Sequence, residues 1–390
     1  MKITKIECIP LQYTAKAIYI NGFGKNNIRS VLIVKVYTDS GIVGIGESAA
    51  FGGPYVSTKT VIEQELAPRV IGEDPLCIEH IWHKLMFQGY HHSRGGIYVA
   101  AVSGIDIALW DILGKVCGQP VYKLLGGYRS RVEVYACGGF YEIGKDNSAL
   151  CREMTGYVES GLRAVKMKIG RTFTPLSLRE MSDQPELETY SVEDDIARVE
   201  AVQKAVGSSI KVMVDANANW AYPDALKAGR AFDEMGIYLF EEPIRTDNYK
   251  GLARLCDKLN IRIAGYETET LLSNMAMMID SDCMDVVQSD ICWCGGLTAS
   301  RKIAGMADTK YKEYMPHCFV SGIGMMASVH LACGIANAEM CELDMSETPF
   351  LNELLATPLK RDGCFVSPPD LPGLGIELRE DTVEKYRVEK

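Results

Sequence analysis

The sequence predicts an α/β protein: a barrel of alternating strands and helices preceded by a smaller α+β domain. Three observations carry this. Six acidic or histidine residues, Asp215, Glu241, Glu267, Asp290, His317 and Glu342, recur at gaps of 26, 26, 23, 27 and 25 residues, each at or near the end of a short apolar run. That interval suits one strand, a loop, a helix and a second loop, and a repeating strand–helix unit with polar residues at its strand ends is how a (β/α) barrel assembles a site. Strand-like and helix-like runs alternate from residue 131 onward, whereas the first 125 residues read as a few alternating strands followed by helices.

In the N-terminal part, MKITKIECIPLQY and SVLIVKVYTDSGIVGIGES alternate as antiparallel strands, with a turn at Asp39-Ser40-Gly41. Two glycine-rich loops are expected, at 19–27 and 50–58, then helices in TKTVIEQELAPRVI, EHIWHKLMFQ and YVAAVSGIDIALWDILGKVCG. Barrel strands are expected near 131–140, 164–170, 210–218, 238–243, 261–267, 286–291, 313–318 and 341–344, which makes eight. Helices are expected near 148–160, 192–206, 223–235, 249–258, 296–308 and 322–336. Lys168 to Asp215 is too long for one repeat, so the polar stretch 171–190 is an insertion after the second barrel strand. The domains are 1–125, with the tail 356–390 packing back on it, and a catalytic barrel over 126–355.

Composition sets the outer limits. With 390 residues, 47% hydrophobic and 24% charged, the chain is an ordinary globular protein large enough for two units. A net charge of −10 speaks against a nucleic-acid surface. The thirteen cysteines are scattered, and only Cys292 and Cys294 lie close, so they read as reduced cytoplasmic thiols. No run approaches 18 uninterrupted apolar residues and the N-terminus alternates like a strand, so neither a membrane span nor a signal peptide is expected.

Asp215, Glu241 and Glu267 come from three successive strands about 5 Å apart. Three bare carboxylates converging there repel unless a cation sits among them, and all-oxygen ligation selects a hard divalent metal such as Mg²⁺. The competing reading pairs each acid with a lysine or arginine on the barrel rim. Glu242 competes with Glu241, since alternation sends only one inward. Lys166 and Lys168, one residue apart on a strand, point the same way, and two neighbouring ammonium groups lower one lysine's pKa toward that of a useful base. Asp290 bonded to His317 forms a second acid/base across from the lysines. Glu342 completes the ring as a protonated acid, and Asn217 supports the metal shell or contacts substrate.

These elements resemble the enolase superfamily in its mandelate racemase branch over almost the whole chain: Lys166-x-Lys168, Asp215-x-Asn217, Glu241-Glu242-Pro243, Glu267, Asp290 followed by Gly295-Gly296, and His317, with the linker SGIDIALWDILGKVCGQPVYKLLGG. The resemblance implies a (β/α)₇β TIM-like barrel with an α+β capping domain whose two loops shape the pocket. It implies one Mg²⁺ per site on the three acids, Lys168 as base with Lys166 as its electrostatic partner, and the His317–Asp290 dyad opposite. It also implies a homo-oligomer, often an octamer in relatives. The chain departs from the family pattern at Tyr266, where glycine is common, and in its long insertion.

The reaction expected is abstraction of the proton beside a carboxylate. Tyr19, Asn21, Tyr55, Tyr90 and Arg94 offer hydroxyl-binding groups, which favours dehydration of a sugar acid, an aldonate or aldarate, to a 2-keto-3-deoxy acid. Racemisation or epimerisation of a 2-hydroxy acid uses the same two-base geometry. Cycloisomerisation ranks lower, because muconate-lactonizing relatives carry lysine where Asp290 stands. A binding protein that kept the cage and lost turnover is the remaining alternative.

Overall fold

The computed structural model describes residues 1–22, 24–50, 55–88, 90–171 and 190–388. The expected insertion at 171–190 and the core of the 50–58 loop fall almost wholly outside these described residues.

The N-terminal strands β1 (Ile3–Ile20), β2 (Lys25–Thr38) and β3 (Val43–Ser48) form an antiparallel sheet in that order. β1 and β2 pair as far as Ile20↔Lys25, so much of the segment expected as a loop at 19–27 is strand, because the β1–β2 ribbon projects beyond the sheet. Gly41, with φ +82°, closes the turn between β2 and β3. Helix α1 (Ile78–Gln88) packs on α2 (Ile97–Cys117), and α2 covers the sheet. α2 is long and apolar enough to cross a membrane, but its apolar window is 89% buried within the protein. It crosses β3 at glycines: a Cβ on Gly46 would stand 2.0 Å from the Gly104 carbonyl oxygen.

The second unit holds eight parallel strands: β4 (Val132–Gly138), β5 (Ala164–Lys168), β6 (Lys211–Asp215), β7 (Leu239–Glu241), β8 (Arg262–Gly265), β9 (Val286–Val287), β10 (Glu313–Tyr314) and β11 (Met340–Asp344). They are paired in sequence order, and β11 returns to β4, with a Tyr314↔Ala338 bridge joining β10 to the start of β11. Among the described residues seven helices lie between them: α3 (Asn147–Glu159), α4 (Val192–Val206), α5 (Tyr222–Met235), α6 (Tyr249–Lys258), α7 (Leu272–Asp280), α8 (Gly296–Asp308) and α9 (Gly322–Gly334). The barrel is therefore (β/α)₇β. α7 was not expected from the sequence. It is short and methionine-rich, with Met275, Met278 and Ile279 making a buried stripe.

Side-chain parity decides what enters the barrel. Ala164, Met213, Leu239 and Met340 belong to a buried interior layer with Tyr135, Cys137, Ala264, Val286 and Met315. Two residues further along their strands stand Lys166, Asp215, Glu241 and Glu342, with Lys168 and Asp344 two beyond again, so these polar groups also face inward at the C-terminal end. Of the tail, Arg361–Asp362 and Phe365–Val366 form a ribbon antiparallel to β4, while Leu11 pairs with Arg387 in the cap.

Candidate active site

Lys168, Asp215 and Glu241 are register partners across β5, β6 and β7, and the expected site residues gather around them. Lys168 donates to Asp215. Lys166 donates to Glu241 at 2.6 Å and sits 3.0 Å from Glu342. His317 is held from both ring nitrogens, Nδ1 at 2.7 Å from Asp290 and Nε2 at 2.7 Å from Glu267. An Asp290↔His317 bridge extends the β9–β10 pairing. Asn217 donates its backbone N–H and Nδ2 to Asp215, at 2.8 and 3.1 Å.

Exposure separates groups that face the mouth from groups beneath. Glu267, Lys168 and His317 keep 8, 6 and 4% of their surface, whereas Lys166, Asp215 and Asp290 keep none. Lys168 and His317 are thus the acid/base groups open to a ligand, and they stand on opposite parts of the ring.

The electrostatics correct two expectations. Burial is the largest influence on Lys168 and pulls its pKa down, yet Asp215 and further anions outweigh it and the net shift is upward. Lys166 is likewise raised, by Glu241 and Glu342 against burial. Carboxylate partners, not the neighbouring ammonium, set the lysines' charge. Glu342, expected as a protonated acid, is instead held ionised: burial raises it, but Lys166 and His317 together pull it well below the usual range. His317 is raised well above its ordinary value, since Glu267, Glu342 and Asp290 overcome burial, so it stands as an imidazolium.

Glu242 is the residue the sequence left open. Its backbone takes φ 42°, it is fully buried, and neither carboxyl oxygen has a hydrogen-bond partner among the described residues. Burial, then Glu267, Asp215 and Glu241, push its pKa well up. Two groups went unread: Tyr135, whose hydroxyl accepts from Lys166 at 3.3 Å, and Gln288, which donates to Glu241 at 2.9 Å. Gln288 lies two residues before Asp290, so the inward parity was available.

The donor set suits a hard cation. Six buried carboxyl groups (Asp215, Glu241, Glu242, Glu267, Asp290, Glu342) face three basic groups (Lys166, Lys168, His317), and the Asn217 Oδ1 and both Glu242 oxygens lack partners. That excess of oxygen and negative charge in a buried layer is what a divalent ion answers. Among the described residues no three acid, histidine or cysteine side chains form a ready cage, because Asp215, Glu241 and Glu267 each turn onto a base.

The pocket-side candidates divide. Tyr19 accepts from the Glu347 N–H at 2.5 Å and packs edge-on to Phe140, whose ring lies 5.6 Å from the Lys168 Nζ, so it reaches the mouth. The Asn21 carbonyl accepts from Arg171 at 3.2 Å. Tyr55 begins a helical turn and is half-buried. Tyr90 is 57% exposed with its ring facing Arg94, and no contact ties it to the acid cluster among the described residues. Tyr266 is fully buried, and burial, then Cys256, Glu242 and Cys283, push its phenol's pKa well up.

A capped (β/α)₇β barrel with paired lysines facing a histidine–aspartate dyad across strand-end carboxylates defines an acid/base enzyme class, and comparison with known proteins identifies it. Residues 15–126 match the mandelate racemase / muconate lactonizing enzyme N-terminal domain and residues 149–382 the enolase C-terminal domain-like family. The chain belongs to this family, within the enolase superfamily. It is 33% identical to the arabinonate dehydratase of Saccharolobus solfataricus over 95% of this chain and 94% of that protein. The 3,6-anhydro-D-galactonate cycloisomerase of Zobellia galactanivorans superposes with a TM-score of 0.87 at 31% identity, covering 100% of both chains. A racemase from Streptomyces coelicolor with bound magnesium gives 0.87 at 26% identity, over 99% of this chain and 100% of that one.

Proposed function

We propose that this protein is a hydro-lyase that dehydrates a sugar acid, an aldonate or aldarate, to a 2-keto-3-deoxy acid with Mg²⁺ as cofactor. The observation that carries it is the pair Lys168 and His317, open to the mouth from opposite sides, with His317 set between Asp290 and Glu267. The dehydratase relative and the magnesium-bound neighbour support the same reading.

Asp215, Glu241 and Glu267 would hold the cation, which supplies a Lewis acid for the substrate carboxylate and takes up the charge of these acids. With Asp215 answered by the cation instead of by its ammonium, Lys168 would give up its proton and, as the free amine, accept the proton from the carbon beside the carboxylate. Lys166, fixed by Glu241 and Glu342, keeps a buried positive charge where negative charge develops on the substrate. His317 gives its proton to the β-hydroxyl, which leaves as water, and the resulting enol ketonises at C3. Asp290 fixes the imidazole's orientation and restores its basicity. Nothing in this sequence needs a second substrate, and the thirteen unpaired cysteines fit a reducing, cytoplasmic setting. The homo-oligomer and the substrate contacts of Asn217, Tyr19, Tyr55 and Tyr90 are parts of this same proposal.

Incubation with Mg²⁺ and a panel of sugar acids, assayed for 2-keto-3-deoxy products, tests it. Activity that disappears with a chelator and returns with Mg²⁺ is expected, and silence across the panel overturns it. The two opposed acid/base groups also permit a racemase; exchange of the α-proton with solvent deuterium and inversion, without loss of water, would select that alternative.

A further inference from the structure

Arg29 belongs to the central strand of the cap sheet, yet its side chain is committed to the barrel. Its Nη2 donates to Asp344 in a buried pair, and its guanidinium lies 3.6 Å from the Phe319 ring centroid. Asp344 stands two residues beyond Glu342 on the inward face of β11, so it lies about 7 Å nearer the mouth. Phe319 follows His317 by two residues. The guanidinium is thus held between two residues that each stand two places beyond a site residue. One of its donors is left over: Nη1 is buried with no hydrogen-bond partner among the described residues, a costly state for a charged group.

Beside it, between cap and barrel, is a pocket of about 290 Å³ whose lining includes Gln12, Asn26, Arg29, Ser30, Phe319 and Thr348. Arg29 is held by Asp344 and Phe319, each two residues beyond a site residue, Glu342 and His317, and two residues of extended chain span about 7 Å, roughly the length of a five- or six-carbon acid. Charge decides what those carbons carry. The Arg29 cation is already answered by Asp344, and the other polar groups named are uncharged amides and hydroxyls. A second carboxylate would enter with no net positive charge to receive it. A hydroxyl, which both donates and accepts, matches the spare guanidinium donor on one side and the amide and hydroxyl oxygens on the other.

Resting on the dehydratase reading, we propose that the Arg29 pocket takes the hydroxylated tail of the substrate, and that the Arg29–Asp344 pair selects aldonates over aldarates. The test uses aldonate–aldarate pairs of equal length and configuration, assayed with Mg²⁺ on the full chain. Wild type is expected to favour the aldonate by at least about 10-fold in kcat/KM. Arg29→Gln is expected to raise KM for the aldonate roughly 10- to 100-fold, the size of one lost charged hydrogen bond. Asp344→Asn leaves the guanidinium uncompensated and is expected to shift the kcat/KM ratio toward the aldarate by roughly 10-fold. Wild type preferring the aldarate overturns the inference, and this comparison needs no variant to fold. An unshifted ratio in soluble Asp344→Asn overturns it as well. Turnover of neither acid sinks the dehydratase reading itself, whereas dehydration without these preferences sinks only the pocket's role.

Discussion

At the scale of single residues, the site is a set of bases each gripped by an acid, and the grips define what each substitution does. His317 is hydrogen-bonded to Asp290 through Nδ1 and lies 2.7 Å from Glu267 through Nε2, so its loss removes the proton for the leaving hydroxyl while Lys168 is untouched. His317→Asn should therefore lower dehydration by about 10²–10⁴-fold, while deuterium from solvent still enters the α-carbon; NMR of recovered substrate reads the second outcome, and loss of both would remove the division of labour. Asp290→Asn keeps the shape but replaces the acceptor at His317 Nδ1, and should cost about 10- to 100-fold in kcat with little change in KM. Much of this site was legible because inward parity and strand-end spacing are local properties: Lys166, Lys168, Asp215, Glu241, Asp290 and His317 can be placed by counting. What counting cannot supply is charge. Two lysines one residue apart suggest a depressed pKa, but each meets a carboxylate from another strand, and those partners lie 47 and 75 residues away.

At the scale of elements, the cap grips the helices that follow the catalytic strands. Glu47, at the end of β3, accepts from the Ser321 N–H and hydroxyl at 3.0 and 2.6 Å and from the Gly324 N–H at 2.9 Å, capping α9 four residues after His317. Asp106 on α2 accepts from the Thr298 N–H at 2.9 Å, capping α8, which follows Asp290. Both members of the dyad are thus braced by the cap. Glu47→Ala strands three donors in a buried place and should cost about 2–4 kcal/mol of stability, measured by denaturant unfolding, with kcat falling more than KM as His317 loses its brace. Gly46→Ala should be worse tolerated, since its Cβ would meet backbone of α2 at 2.0 Å and neither element can yield without unseating the other; insoluble protein is the expected result, and a soluble variant of unchanged stability would contradict the close approach. The order of strands and six of the seven barrel helices follow from apolar runs in the sequence. The short helix Leu272–Asp280 did not, because its nine residues hold too few turns for a clear period. Nor did these braces, since Glu47 and Ser321 are 274 residues apart and nothing local in GIGES announces a helix cap.

At the scale of the whole molecule, one buried histidine joins cap linker, barrel and tail, and it sets an acid limit on the fold. His330 on α9 accepts the Tyr122 N–H on Nδ1 at 3.0 Å, and its Nε2 lies 3.1 Å from the Leu374 carbonyl. Both contacts require a neutral ring with hydrogen on Nε2. Burial is the dominant influence and lowers its pKa from 6.5 to about 4, with the Leu374 bond opposing. The folded state therefore binds this proton less readily than the unfolded chain. Its stabilising contribution is complete above pH 6.5 and is lost as pH falls toward 4. A displacement of that size corresponds to about 3 kcal/mol at full protonation. Glu47 works in the opposite direction: burial raises its pKa from 4.5 to about 7, so stability from that group declines as pH rises through the same window. The two slopes partly cancel in the wild type, Asp106, also raised to about 7 by burial, adds to the Glu47 slope, and each substitution should show its own group's part as a difference from wild type. His330→Gln should flatten the acid-side loss, and Glu47→Gln should steepen it by removing the compensating term. Unfolding free energies measured by denaturant at half-unit intervals from pH 4 to 7.5 resolve the two, and parallel curves for wild type and His330→Gln would show that this histidine does not link the three segments through its proton.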